Sequence, residues 1–200
     1  NNTTNGNSTV KGDLGVEGST NLKDTTVDGA LDVTGNATIN GSSTVKGDST
    51  TEGNNTINGN STVKGDLGVE GSTNLKDTTV DGALNVTGNA TINGSSTVKG
   101  DSTVEGSQTV KGDLGVEGST NLKDTTVDGK LDVTGNATIN GNSTVKGDQN
   151  VGGNSTVKGD STVEGSQTVK GDSITEGNNT TNGNSTVKGD LGVEGSTNLK

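Results

Sequence analysis

The side chains that could do chemistry in this chain are Ser, Thr, Asp, Glu and Lys, because its 200 residues include no His and no Cys. Nucleophilic and general acid–base catalysis most often use an imidazole or a thiolate beside the reacting group. Each Ser, Thr, Asp and Glu recurs at a repeat position, as solvated strand faces and corners would. We therefore predict no catalytic residue, no cofactor and no enzymatic activity.

Acidic and amide side chains follow Gly along the whole chain, as in Gly12-Asp13 and Gly47-Asp48. Oxygen ligands of this kind suit Ca²⁺. The calcium-binding solenoid repeat, however, needs the spacing Gly-Gly-x-Gly-x-Asp, which this sequence lacks. We predict weak, nonspecific calcium binding at most, and no dedicated metal site.

Thr residues precede a regularly spaced aliphatic residue in many repeats, as Thr38, Thr44 and Thr62 do. A flat ice-binding face would need Thr on both sides of that aliphatic residue. The position that follows is mostly Lys, Glu, Asp or Asn, whose long or charged side chains disturb such a face. This pattern disfavours an ice-binding face. Binding of ice or of surface glycans is kept only as an alternative to a purely structural role.

The sequence also contains many Asn-x-Ser/Thr triplets, which are acceptors for N-glycosylation in secreted proteins. If a glycosylating cell secretes the protein, we expect modification at exposed corners, with candidate sites at Asn7, Asn36, Asn60, Asn89, Asn136 and Asn184.

The net charge of −11 and the pI of about 4.3 argue against nucleic acid as a partner, as does the lack of Arg and aromatic residues. No apolar run approaches membrane-spanning length, so we predict no membrane insertion. Lys11, Glu17 and Lys23 begin an outward charge pattern that recurs from Lys64 onward. Opposite charges on neighbouring coils should deter lateral β-aggregation.

The secondary structure that positions these residues is predicted by aliphatic residues that recur every six residues. Only 22% of the residues are hydrophobic, which is typical of disordered chains, but the apolar residues are periodic. Three one-residue slips, after Leu22, Leu75 and Leu122, interrupt the period, and Thr51, Thr175 and Thr181 are its only polar members. From Val10 the inward positions are Val16, Leu22, Val27, Val33, Ile39, Val45, Thr51, Ile57, Val63, Val69, Leu75, Val80, Val86, Ile92, Val98, Val104, Val110, Val116, Leu122, Val127, Val133, Ile139, Val145, Val151, Val157, Val163, Val169, Thr175, Thr181, Val187, Val193 and Leu199.

A Gly usually follows two residues after each inward position, and we expect it to form a sharp corner at positive φ. Each repeat then reads as a four-residue strand, such as 61–64, in which Ser61 and Val63 point inward and Thr62 and Lys64 outward. At the slips, Asp24, Asp77 and Asp124 are expected to replace the corner Gly in a shortened corner.

Three such repeats can close a triangle, whereas a Gly in every period disfavours a helix and the absence of Pro excludes collagen. We predict an all-β fold: a single-chain, triangular, parallel β-helix (β-solenoid) of about 11 coils, continuous over residues 1–200. At ~4.8 Å per coil it would be about 50 Å long. The period leaves open the handedness and a possible intertwined trimer. We expect the sequence to be part of a longer repetitive chain, with end coils that associate end to end.

The repeat Val-x-Gly-x-(small)-Thr resembles the hexapeptide repeat of left-handed β-helices. Acyltransferases of that type carry a catalytic His, which this chain lacks. Val63-Lys64-Gly65-Asp66 and Val104-Glu105-Gly106 look like runs in bactofilins, cytoskeletal β-solenoids that polymerise end to end. The segment 31–41 is similar to repeats of phage tail fibres and large surface adhesins.

These resemblances imply a structural role rather than a reaction. Our first hypothesis is a rod or shaft of an extracellular fibre, a surface adhesin or a virion appendage, located outside the cell or on a cell or virion surface. The alternatives are a bactofilin-like cytoplasmic polymer and an ice- or glycan-binding solenoid.

Overall fold

The computed structural model describes residues 2–200, which form 34 short parallel strands and no helix. The strands lie in three sheets, A, B and C, of 12, 11 and 11 strands. Sheet A contains β1 (Asn2–Thr3), β4 (Thr20–Leu22), β7 (Ala37–Ile39), β10 (Asn55–Ile57), β13 (Thr73–Leu75), β16 (Ala90–Ile92), β19 (Gln108–Val110), β22 (Thr125–Val127), β25 (Ser143–Val145), β28 (Ser161–Val163), β31 (Asn179–Thr181) and β34 (Thr197–Leu199).

Sheets B and C contain the strands that alternate with these along the chain. Sheet B contains β2 (Ser8–Val10), β5 (Thr25–Val27), β8 (Ser43–Val45), β11 (Ser61–Val63), β14 (Thr78–Val80), β17 (Ser96–Val98), β20 (Leu114–Val116), β23 (Leu131–Val133), β26 (Gln149–Val151), β29 (Gln167–Val169) and β32 (Ser185–Val187). Sheet C contains β3 (Leu14–Val16), β6 (Leu31–Val33), β9 (Ser49–Thr51), β12 (Leu67–Val69), β15 (Leu84–Val86), β18 (Ser102–Val104), β21 (Thr120–Leu122), β24 (Ala137–Ile139), β27 (Ser155–Val157), β30 (Ser173–Thr175) and β33 (Leu191–Val193).

Each coil is one strand from each sheet, and every strand pairs with the strand three places away in the chain. Residues at the same repeat position therefore stack, as Val45 and Val63 do between β8 and β11. The prediction of a triangular parallel β-solenoid of about 11 coils is confirmed. A single chain closes every coil. Among residues 2–200, no helix could span a bilayer.

Apart from β1, which has two residues, the strands have three residues rather than the four predicted. In β11, Ser61 and Val63 are buried, as expected, but Lys64 belongs to the turn that follows. The strand is shorter because the chain must already turn at Lys64 to reach the next side of the triangle.

The corner glycines are needed for a different reason from the one predicted. No residue from 2 to 200, glycine or other, has a positive φ. A Cβ placed on Gly59 would instead lie 2.6 Å from the carbonyl carbon and oxygen of Gly41, one coil below. Glycine is required because successive corners approach each other closely through their backbones.

The three slips are corners shortened by one residue, as predicted, but the Asp does not take the place of Gly. The amide of Gly41 donates to the carbonyl of Lys23 at 3.2 Å, and the amide of Ser42 donates to Oδ1 of Asp24 at 2.9 Å. Asp24 therefore occupies the position after the glycine, and the glycine itself is missing. Asp77 and Asp124 make the same contacts with Ser95 and Asn142.

The core consists of the first and last residues of each strand. All of the predicted inward residues from Val16 to Thr181 are buried. At the ends of the rod, Val10, Val187 and Val193 are half-buried, and Leu199 is 49% exposed because no coil covers it.

Candidate functional surfaces

Asp, Asn and Ser side chains at the corners form a hydrogen-bonded ladder along the rod. At most corners the residue after the glycine is Asp, Asn or Ser, and its side-chain oxygen accepts a bond from the backbone amide of the equivalent residue one coil on. Asp48 Oδ1 accepts from the amide of Asp66, and Asn36 Oδ1 accepts from that of Asn54, both at 2.9 Å. These side chains therefore satisfy backbone amides at the places where the strand ladder is interrupted.

This ladder explains the acidic corners that suggested calcium. Asp13 and Asp48 each use one carboxylate oxygen to accept a backbone amide. Within residues 2–200, no group of three or more acidic side chains is arranged to hold a metal ion. The corner carboxylates have a structural task.

The six predicted glycosylation sites, Asn7, Asn36, Asn60, Asn89, Asn136 and Asn184, are all exposed at corners, immediately after a glycine. Asn36, Asn89 and Asn136 use their amide oxygens in the corner ladder. The sites are distributed over all three corners of the triangle, so attached glycans would project in three directions. Modification itself stays a prediction.

The central residue of each strand points outward, and on sheet A these residues are Thr and Asn only: Thr3, Asn21, Thr38, Thr56, Asn74, Thr91, Thr109, Thr126, Thr144, Thr162, Thr180 and Asn198. They stack one per coil, as Thr126 and Thr144 do. The central residues of each sheet therefore form a single outward rank. Shallow depressions between this rank and the adjoining corner are lined by amide and hydroxyl groups, for example those of Asn54, Thr56, Ser72 and Asn74.

The residue directly after each strand also points outward, in addition to the corner residue and the central residue. We call the column that these residues form on each sheet an edge. The A edge comprises Thr4, Lys23, Asn40, Asn58, Lys76, Asn93, Lys111, Asp128, Lys146, Glu164, Asn182 and Lys200. The B edge comprises Lys11, Asp28, Lys46, Lys64, Asp81, Lys99, Glu117, Thr134, Gly152, Lys170 and Lys188. The C edge comprises Glu17, Thr34, Glu52, Glu70, Thr87, Glu105, Lys123, Asn140, Lys158, Glu176 and Glu194.

Lys11, Glu17 and Lys23 consequently lie on three different edges and do not form one charged face. Ion pairs between neighbouring coils occur along an edge. In the described part of the chain there are three: Lys46–Asp28, Lys99–Asp81 and Lys146–Asp128, with Nζ–Oδ1 distances of 2.8, 2.9 and 2.8 Å. The hydrogen bond and the charge of the Asp partner raise the pKa of Lys99 and of Lys146 above the ordinary lysine value.

The sequence interpretation missed a set of buried amides. Gln149 and Gln167 stack in sheet B, where Gln167 Nε2 donates to Gln149 Oε1 at 3.2 Å. Thr181 Oγ1 also donates to Gln167 Oε1, at 3.4 Å. Strand alternation places both glutamines inward, and this signal was available in the sequence. Their pairing depends on the coil length, which was not.

Comparison of the chain with protein-family models, with curated proteins and with solved structures gives no match. The functional argument therefore depends on the geometry of the solenoid and on the repeats in its sequence.

Proposed function

We propose that this chain is a non-enzymatic structural rod, the shaft of an extracellular fibre, a surface adhesin or a virion appendage. One observation carries the proposal: the same coil repeats from end to end, and every outward position belongs to the repeat. A solenoid of this kind can act as a spacer that holds its two ends at a fixed distance and in a fixed direction, because each coil contacts only its neighbours.

Two further observations support a rod exposed to solvent. The corner ladder and the strand ladders fix each coil to the next along its whole perimeter, which favours stiffness. The outward ranks are hydroxyl, amide and charged groups, apart from Ile174 and the glycines at 15, 68, 115 and 192. The likeness of 31–41 to fibre and adhesin repeats favours the same role.

End-to-end assembly is part of this proposal. Every coil pairs with the next through the same parallel ladder, so the two ends of the rod are complementary to each other. The alternative is a bactofilin-like cytoplasmic filament, which the Val-x-Gly-Asp runs favour. The amide- and hydroxyl-lined depressions favour a second alternative, weak binding of surface glycans.

The rod is tested by removing one coil. Deletion of residues 143–160 joins Asn142 to Ser161 in the same frame and removes one repeat of 18 residues. We expect a folded rod shorter by about 4.8 Å, measured by small-angle scattering. Deletion of only nine residues, 143–151, is the control, because it breaks the frame and should unfold the neighbouring coils.

The location is tested by immunogold electron microscopy of the native source material. Labelling along external fibres is the expected result. Labelling of filaments inside the cell would replace the proposal with the cytoplasmic alternative.

A further inference from the structure

The charges on the B edge and the C edge are complementary coil by coil. In the first, third, fourth and sixth coils the B edge carries Lys11, Lys46, Lys64 and Lys99, and the C edge carries Glu17, Glu52, Glu70 and Glu105. In the seventh coil both signs are reversed, with Glu117 on the B edge and Lys123 on the C edge. In the last two coils Lys170 and Lys188 correspond to Glu176 and Glu194.

The remaining coils contain no like-charged pair. Asp28 and Asp81 on the B edge correspond to Thr34 and Thr87 on the C edge, so neither Asp would face an acidic residue. The last two correspondences are Thr134 with Asn140 and Gly152 with Lys158. The match therefore extends over the full length of the rod.

The two edges of one rod cannot satisfy each other, because they lie at different corners of the triangle. All of the charged residues of both edges are exposed. Among residues 2–200, the only ion pairs on these edges are those of Lys46 and Lys99 with Asp residues of the same edge. The B-edge lysines 11, 64, 170 and 188 and every C-edge glutamate are available to another molecule.

We propose that two copies of this chain associate side by side, parallel and in register, with the B edge of one rod against the C edge of the other. Corresponding residues on the two edges differ by a third of a coil, about 1.6 Å along the axis. Long Lys and Glu side chains easily span that offset. Each exposed ion pair contributes little to the free energy of association, but the pairs along the full length of the two edges contribute together.

Other registers bring like charges together, which is how an interface excludes wrong partners. A shift of one coil in one direction places Asp28 opposite Glu52 and Lys99 opposite Lys123. The opposite shift places Asp81 opposite Glu70 and Lys170 opposite Lys158. An antiparallel arrangement places Asp28 opposite Glu176 and Lys46 opposite Lys158.

The A edge competes with the B edge for the C edge. In the same coil it would place Lys111 opposite Lys123, Lys146 opposite Lys158 and Glu164 opposite Glu176. The A edge of the next coil, however, places Lys23 opposite Glu17, Lys76 opposite Glu70 and Lys200 opposite Glu194, with six opposite pairs and no like-charged pair, against seven opposite pairs in the B–C contact. The A edge offers the B edge opposite charges in only some coils. The B–C contact is heterologous, so it can repeat and assemble further rods into an array in which all point the same way. Within the B–C contact the charges thus select one lateral register, and they do not simply keep rods apart.

The first experiment measures the association of the full chain by sedimentation velocity at increasing NaCl. We expect association at 10 mM salt, where the Debye length is about 30 Å, and dissociation near 1 M, where it is about 3 Å. Reversal of the B edge (K11E, K64E, K170E, K188E) should weaken association at least about tenfold.

Reversal of the A edge (K23E, K76E, K111E, K200E) changes the net charge equally and removes four of the six opposite pairs of the competing C–A contact, so it distinguishes that contact from the B–C contact. It should leave association within about twofold of the unchanged chain. The B-edge variant mixed with a C-edge variant (E17K, E70K, E176K, E194K) should associate again. Circular dichroism confirms that each variant is folded. Equal effects of the A-edge and B-edge reversals, or a chain that is monomeric at every salt concentration, would overturn the proposal.

The second experiment tests the register by zero-length carbodiimide cross-linking of mixed ¹⁴N and ¹⁵N chains. We expect mixed-isotope peptides that join Lys64 to Glu70 and Lys188 to Glu194. Cross-links that join Lys188 to Glu17 would demonstrate an antiparallel contact and refute the parallel one.

Discussion

Two segments of the rod have the same backbone and corners but different cores. In the apolar segment, β4 to β24, every coil contains at least one inward Leu or Ile, such as Leu31, Leu84 or Leu131. In the polar segment, β25 to β31, no inward Leu or Ile occurs. There the first inward residue of every strand is polar: Ser143, Gln149, Ser155, Ser161, Gln167, Ser173 and Asn179.

The polar segment keeps the fold although several of its buried groups have no partner. In the described chain, Ser143 Oγ, Ser161 Oγ, Gln149 Nε2 and both amide atoms of Asn179 make no hydrogen bond. An unpaired buried polar group costs about 1–3 kcal/mol. The parallel ladders and the corners therefore specify the coil, and the Leu and Ile residues add local stability. In a solenoid such differences stay local.

The sharpest test of this comparison replaces one residue from each segment with the same product. Leu131→Ala in β23 should destabilise its coil by about 2–5 kcal/mol, through lost burial and an unfilled cavity. Ser161→Ala in β28 removes a buried hydroxyl that has no partner, so it should be neutral or stabilising by up to about 1 kcal/mol. Hydrogen exchange at amides of the substituted coil, followed by mass spectrometry, measures both.

The two variants control each other, because each leaves Ala at the first inward position. Equal costs in the two segments would show that the core composition does not set local stability.

The polar segment should also be stabilised by extending the apolar column. In sheet B, Leu114 and Leu131 are followed by Gln149 and Gln167 in the same stack. Replacing both glutamines with Leu should stabilise these coils by about 1–2 kcal/mol, since apolar burial replaces a partly satisfied amide pair. Urea unfolding followed by circular dichroism, with hydrogen exchange to locate the change, is the measurement.

The single variant Gln149→Leu is the control for that experiment. It leaves Gln167 Nε2 without its acceptor, so it should be less stable than the double variant. A double variant less stable than the unchanged chain would mean that the amide ladder contributes more than Leu packing.

The contrast between the segments also marks what the sequence could predict. The inward column was predictable from Val16 to Thr181 because strand alternation and a period of six leave one consistent register. The role of the corner glycines was not, because the close approach of Gly59 to Gly41 arises only when coils stack. The charge match of the B and C edges was hidden for a related reason. Residues on one edge are 18 apart in most coils but 17 apart where a corner is shortened.

A smaller effect is expected where the corner ladder is interrupted, in the apolar segment. Ala83 lies in the position after a corner glycine but has no side-chain oxygen for the amide of Asp101. Ala83→Asn should restore the rung and stabilise its coil by about 0.5–1.5 kcal/mol, the net contribution of one hydrogen bond. Hydrogen exchange at the Asp101 amide should slow. Ala83→Val, which cannot accept a hydrogen bond, is the control and should leave that exchange rate unchanged.

The smallest effect concerns the surface ion pairs, which should not distinguish the segments. Lys99 follows β17 in the apolar segment, and Lys146 follows β25 in the polar one. In both, the hydrogen bond to an Asp one coil back raises the pKa above 10.5, and the Asp charge adds to it. Because the lysine pKa is higher in the folded chain than in the unfolded chain, the ion pair stabilises the fold fully at a pH below the unfolded-chain pKa. That stabilisation is lost as the pH rises through the folded-chain pKa, so it decreases above pH 10.5.

Nuclear magnetic resonance titration of the two lysine side chains measures these pKa values. We expect shifts in the same direction for Lys99 and Lys146, because both pairs are on the solvent-exposed edge rather than in the core. Asp81→Asn should return only Lys99 to the ordinary value, and Asp128→Asn only Lys146. A shift confined to one of the two lysines would connect the edge charges to the core beneath them. It would then be wrong that the backbone, corners and edge charges behave alike in both segments while only the cores differ.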